Sequence, residues 1–169
     1  MGKSQNTTDN KYEGFTLTLA LVDALPVLFF GGSSILIGLI FKSPLFIIGA
    51  CLTFLAGFFK VLWKVILGVS GKDVPILNKQ MRIVMPVGFL LMLISLIVDR
   101  KKISFPGMWA AITGFPQIIF FILWVLGMVG MGVLAKKLDS SVAKNNWIEQ
   151  CVNGTGQLCL FIGLLIIAL

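Results

Sequence analysis

FTLTLALVDALPVLFFGGSSILIGLIF, residues 15–41, carries a single charged side chain, Asp23, in 27 positions. Wound as a helix rising 1.5 Å per residue, the stretch measures about 40 Å, enough to cross a hydrocarbon core of about 30 Å with length to spare. It lacks the alternation and ten-residue spacing of an outer-membrane barrel strand. Four further apolar stretches follow at 45–69, 83–98, 109–135 and 148–169. The sequence therefore predicts an all-α integral membrane protein, a bundle of five transmembrane helices in a single domain over 15–169. Residues 1–14, MGKSQNTTDNKYEG, are polar and aperiodic, and read as a flexible tail.

Composition points the same way. Of 169 residues, 57% are hydrophobic and 12% charged, and the mean hydropathy is +0.99. Soluble domains sit near half apolar and a quarter charged. The net charge of +7 is spread over short loops with no aromatic platform between the basic residues, which excludes a nucleic-acid surface. Counted by loop, eight Lys and Arg (Lys3, Lys11, Lys72, Lys79, Arg82, Lys136, Lys137, Lys144) fall on the side of the N-terminus and four (Lys42, Arg100, Lys101, Lys102) on the other. The positive-inside rule then predicts an N-inside, C-outside chain, multi-pass in the plasma membrane. The Arg100-Lys101-Lys102 run fits that orientation worst.

Several chemistries are excluded. There is no histidine, so the commonest neutral metal ligand and the usual base of a nucleophilic pair are missing. Cys51, Cys151 and Cys159 lie in apolar stretches without CxxC spacing and read as small buried hydrophobes. No metal, cofactor or catalytic residue is implied, and with seven acids in the chain an enzyme is the weakest reading.

Turn chemistry supports the boundaries: Lys-Ser-Pro at 42–44, Val-Ser-Gly-Lys-Asp-Val-Pro at 69–75 and Ser-Phe-Pro-Gly at 104–107. Pro86 is expected in the first turn of the third helix, where a missing N–H matters little. Pro26 and Pro116 are expected to kink the first and fourth helices. Small residues supply the packing faces, Gly49, Thr53 and Gly57 in the second helix and Thr155, Cys159 and Gly163 in the fifth.

The polar residues inside these stretches carry what functional signal there is, because an ionisable group near the bilayer centre costs about 2.5–3.5 kcal/mol. Asp23 lies about 12 Å along the first helix from residue 15. Lys60, nine residues from the inner end of the second helix, lies at about 13 Å, so the two charges are expected level. In the fifth helix Gln150, Asn153 and Gln157 share an arc of about 60°, with Glu149 about 40° beyond it. A polar pocket in the cytoplasmic half, lined by Asp23, Lys60, Glu149, Gln150, Asn153 and Gln157, is the resulting expectation, with Pro26 and Pro116 shaping it. It suits a transporter or a protein that binds a small solute or ion.

Two alternatives stand beside it. Asp23 also reads as the N-cap of a helix over 24–41, with 15–22 an interfacial lead-in and Pro26 in the first turn; Lys60 and Lys64 would then snorkel to the interface. At the level of function, the small-residue faces and amides suit a non-catalytic subunit that docks on a partner membrane protein or on a second copy as a homo-oligomer.

Overall fold

The computed structural model describes residues 16–139 and 142–169; the tail expected at 1–14 lies outside them. Seven helices follow in order: α1 (Leu17–Phe41), α2 (Pro44–Ser70), α3 (Pro75–Lys79), α4 (Met81–Val98), α5 (Phe105–Thr113), α6 (Gln117–Lys137) and α7 (Ala143–Ala168). No strand occurs among the described residues. Five segments are long and apolar enough to span a membrane: α1, α2, α3 with α4, α6 and α7.

The ends are set by side chains at the caps. Thr16 Oγ1 accepts a hydrogen bond from the Leu19 N–H at 3.2 Å and starts α1. Asp23 is therefore an interior residue of that helix and not its N-cap, contrary to the capping alternative. The turn into α2 is a single left-handed residue, Lys42 (φ 48°), followed by Ser43, whose hydroxyl accepts from the Phe46 N–H at 3.2 Å. Gly71 (φ 67°) closes α2, with its N–H on the Leu67 carbonyl at 2.9 Å.

Two prolines differ from expectation. The fourth apolar stretch is two helices: Gly114 is extended, the Phe115–Pro116 bond is cis, and α6 starts after Pro116. A residue before proline is biased away from α geometry, so a break replaces the expected kink. Ser104, whose hydroxyl accepts from the Gly107 N–H at 3.3 Å, caps the nine-residue α5, too short to span a bilayer. Pro86 is the sixth residue of α4, beyond its first turn, because the helix begins at Met81. Gln80 marks the step between α3 and α4 and ties it to α2, its Nε2 donating to the carbonyls of Ala56 (3.0 Å) and Leu77 (3.1 Å).

The spanning helices pack as an open row in the order α4, α2, α1, α7, α6, with α1 at the centre and α5 against α6 and α7. Neighbours approach through glycine. A Cβ on Gly49 would meet the Gly88 carbonyl oxygen at 2.6 Å, and one on Gly127 the Gly156 Cα at 3.1 Å, so α2–α4 and α6–α7 meet main chain to main chain. Gly57 faces Val27 of α1, and Gly163 faces Phe121 of α6. Most large side chains outside these contacts are exposed apolar residues, as a hydrocarbon solvent permits. Cys51 and Cys151 are among the exposed residues and only Cys159 is buried, contrary to the expectation for all three.

At the end of the row where α1 meets α2, the chain is latched by a polar contact. Ser43 Oγ donates to Asp99 Oδ2 at 2.5 Å and Lys102 Nζ lies 2.7 Å from Asp99 Oδ1. Both bonds favour the carboxylate, Lys102 most and Ser43 next, and hold Asp99 below the usual carboxylate range.

Candidate functional site

Near the other end of the row, α1, α2 and α7 bring charged and amide side chains into one layer. Asp23 is six residues from the start of α1 and Lys64 six from the end of the antiparallel α2, about 9 Å in from each end. Their side chains meet: Lys64 Nζ lies 3.0 Å from Asp23 Oδ2. Lys64 also donates to Asn146 Oδ1 at 3.0 Å, reaching the first turn of α7. Asp23 is 4% exposed, Lys64 2% and Asn146 3%, so the three groups satisfy one another away from solvent.

Close helix approach makes this possible. The Gly68 position would place a Cβ 3.1 Å from the Leu17 nitrogen, so the end of α2 lies against the start of α1. Leu19 and Ala20 of α1 are fully buried in the turn before Asp23.

Glu149 and Gln150 are buried one turn after Asn146. Lys60, half-buried and one turn from Lys64, and Glu149 act on each other and on Lys64 electrostatically. Among the described residues the layer thus holds two acids, Asp23 and Glu149, against two bases, Lys60 and Lys64, and Asp139 also acts on Glu149. Pairing of opposite charges is what lets ionised groups persist in a low-dielectric span.

The sequence reading is corrected on three points. The partner of Asp23 is Lys64, not Lys60. Asn146, absent from the expected set, is a direct contact; extending the Gln150, Asn153, Gln157 periodicity back by one turn reaches it. Pro116 lies at the start of α6, against the far half of α7, and does not border the layer. Pro26 does lie close by, buried within α1 one turn after Asp23 and facing Gly154.

The remaining amides run along α7 away from the charges. Asn153 is half-buried. Gln157 is buried and its Nε2 lies 3.6 Å from Met128 Sδ on α6. Among the described residues, Gln150 Oε1 and Gln157 Oε1 are buried acceptors with no hydrogen-bond donor, as Trp124 Nε1 is a buried donor with no acceptor. Native interiors leave few such atoms.

The layer is filled by its own side chains, where an open notch was expected. A cavity of about 500 Å³ opens instead farther along α1 and α2, between Leu28, Gly31, Ile35, Ala50, Cys51 and Phe54, and it has no charged lining. Among the described residues no cluster of three or more Cys, Asp or Glu could hold a metal. No family model, curated protein or solved structure matches the chain.

Proposed function

We propose that this is a small polytopic protein of the plasma membrane, N-inside and C-outside, that transports or binds a small solute or ion at the Asp23–Lys64–Asn146 layer in its cytoplasmic half. One observation carries the reading: a carboxylate and an ammonium are buried together inside segments that are long and apolar enough to span a bilayer. Ionisable groups in such segments are costly and mark ion and solute paths, proton relays and counter-ions. The orphan oxygens of Gln150 and Gln157 extend the layer toward the middle of α7, as a solute path would require. Solute uptake or binding by the reconstituted protein tests the assignment. Asp23→Asn and Gln157→Leu are expected to abolish or sharply reduce it; full activity in both would place the site elsewhere. Cysteine labelling in the 101–105 loop, in a background without the three native cysteines, tests the orientation. Labelling of intact cells is expected, and labelling only after permeabilisation would invert the topology.

A second reading is favoured by the open row. α4 and α6 do not pack against each other, and the α6 span is 6% buried. A non-catalytic subunit would use those edges to dock a partner membrane protein or a second copy. Mass measurement in detergent separates the two readings, since a lone monomer with no co-purifying protein argues against the subunit.

A further inference from the structure

The Lys64 ammonium lies where a free cation would lie. It is held at 3.0 Å by a carboxylate oxygen of α1 and at 3.0 Å by an amide oxygen of α7, and one turn along α7 the Gln150 Oε1, in a side chain 6% exposed, is a buried acceptor without a donor. An all-oxygen set of one carboxylate and neutral carbonyls suits a hard cation. Exchange for the single Lys64 charge selects a single positive charge: a monovalent ion in its place leaves the charge of the layer unchanged, whereas a divalent ion would add one.

We propose that Lys64 is the tethered occupant of a monovalent-cation site, and that an external cation, alkali or primary ammonium, enters by exchange for the Lys64 proton. This rests on the solute-site reading above and names its substrate class. In the exchange one N–H bond of the ammonium breaks, the electron pair stays on the neutral amine, and the proton leaves to water. The incoming cation takes the place of that charge beside the Asp23 carboxylate, so the layer keeps its net charge. Among the described residues, the groups facing Lys64 include Asp23 from α1, Lys60 one turn away on α2, and Glu149 with Asn146 from α7. With Lys60 and Lys64 both charged, an incoming cation would be a third positive charge in the layer, which makes proton loss from Lys64 a condition of binding.

The test uses the purified full chain in nanodiscs, titrated separately with sodium, potassium and methylammonium chloride at constant ionic strength, with proton release followed by calorimetry in two buffers. Wild type is expected to release about one proton per cation bound and to bind about tenfold more tightly per unit rise in pH. Lys64→Arg keeps a cation paired to Asp23 but cannot give up its proton, and is expected to fold as wild type and lose binding. Lys64→Met is expected to bind without proton release at pH values above the carboxylate range. The salt that binds distinguishes an alkali from an organic cation. Wild-type-like binding and proton release in Lys64→Arg would overturn the exchange, as would the absence of binding in both wild type and Lys64→Met. If the exchange fails while Asp23→Asn still abolishes uptake of another solute, the solute-site reading survives without it.

Discussion

Removing the carboxylate of Asp23 leaves the Lys64 ammonium, 2% exposed, without the oxygen 3.0 Å away that neutralises it, while the hydrogen bond to Asn146 remains. Breaking a buried pair from one side costs about 3–5 kcal/mol in soluble proteins. A charge left in a membrane span costs about 2.5–3.5 kcal/mol, and the retained amide bond recovers about 0.6–1.7 kcal/mol. Asp23→Ala is accordingly expected to lose about 1–3 kcal/mol, a rise of roughly 5- to 150-fold in the unfolded fraction. Unfolding in mixed detergent–SDS micelles, followed by tryptophan fluorescence, measures it. The double substitution Asp23→Ala with Lys64→Met removes both charges and is expected within about 1 kcal/mol of wild type, less than the sum of the two single substitutions. Lys60→Met serves as control: its stem is half-buried and its head can reach the interface, so a loss under about 1 kcal/mol is expected. The reasoning fails if Asp23→Ala costs less than about 1 kcal/mol, or if Lys60→Met is as damaging as Lys64→Met.

Gly49→Ala would drive a Cβ to 2.6 Å from the Gly88 carbonyl and is expected to cost about 1–3 kcal/mol, whereas Gly132→Ala meets nothing within 4 Å and should be neutral; equal melting temperatures would refute the α2–α4 contact. Asp99 titrates below the usual carboxylate range because Lys102 and Ser43 bond its ionised form, so its stabilising contribution is complete above the unfolded value near pH 4 and fades as pH falls through the lower folded value. Melting temperatures of wild type and Asp99→Asn should therefore differ at neutral pH and converge in strong acid, and a constant gap would contradict the latch. Gln157→Leu removes a buried acceptor that has no donor and is expected to leave stability unchanged or raise it by up to about 1 kcal/mol, even as it impairs solute binding; a large loss of stability would show that the amide serves the fold.

The helical spans were legible because hydrocarbon as a solvent demands long apolar runs with internally bonded backbones. Position along a helix was legible only to within a turn. Starting α1 at residue 15 and ending α2 at residue 69 set Asp23 level with Lys60. The helices run from Leu17 and to Ser70, and with Asp23 two residues shallower the level partner becomes Lys64. Lys60 and Lys64 share a face at spacing four, so periodicity could not separate them. Asn146 went unread because it stands among charged and polar loop residues, where an amide carries no burial signal. Pro116 was read as a kink because hydropathy continues across it; the extended backbone at Gly114 that divides α5 from α6 leaves no mark on an apolar profile.

The parallel contact of α1 with α7 has a consequence for biogenesis. Asp23 and Lys64 emerge from the ribosome 41 residues apart, whereas Asn146 follows Lys64 by 82. At about 5–20 residues per second, a nascent chain waits roughly 4–16 s with its ion pair formed but its third wall missing. During that wait the two charges stand uncovered on the side that α7 will close. Of the three helices that wall the layer, the one made last is thus the one that shuts the ion pair away.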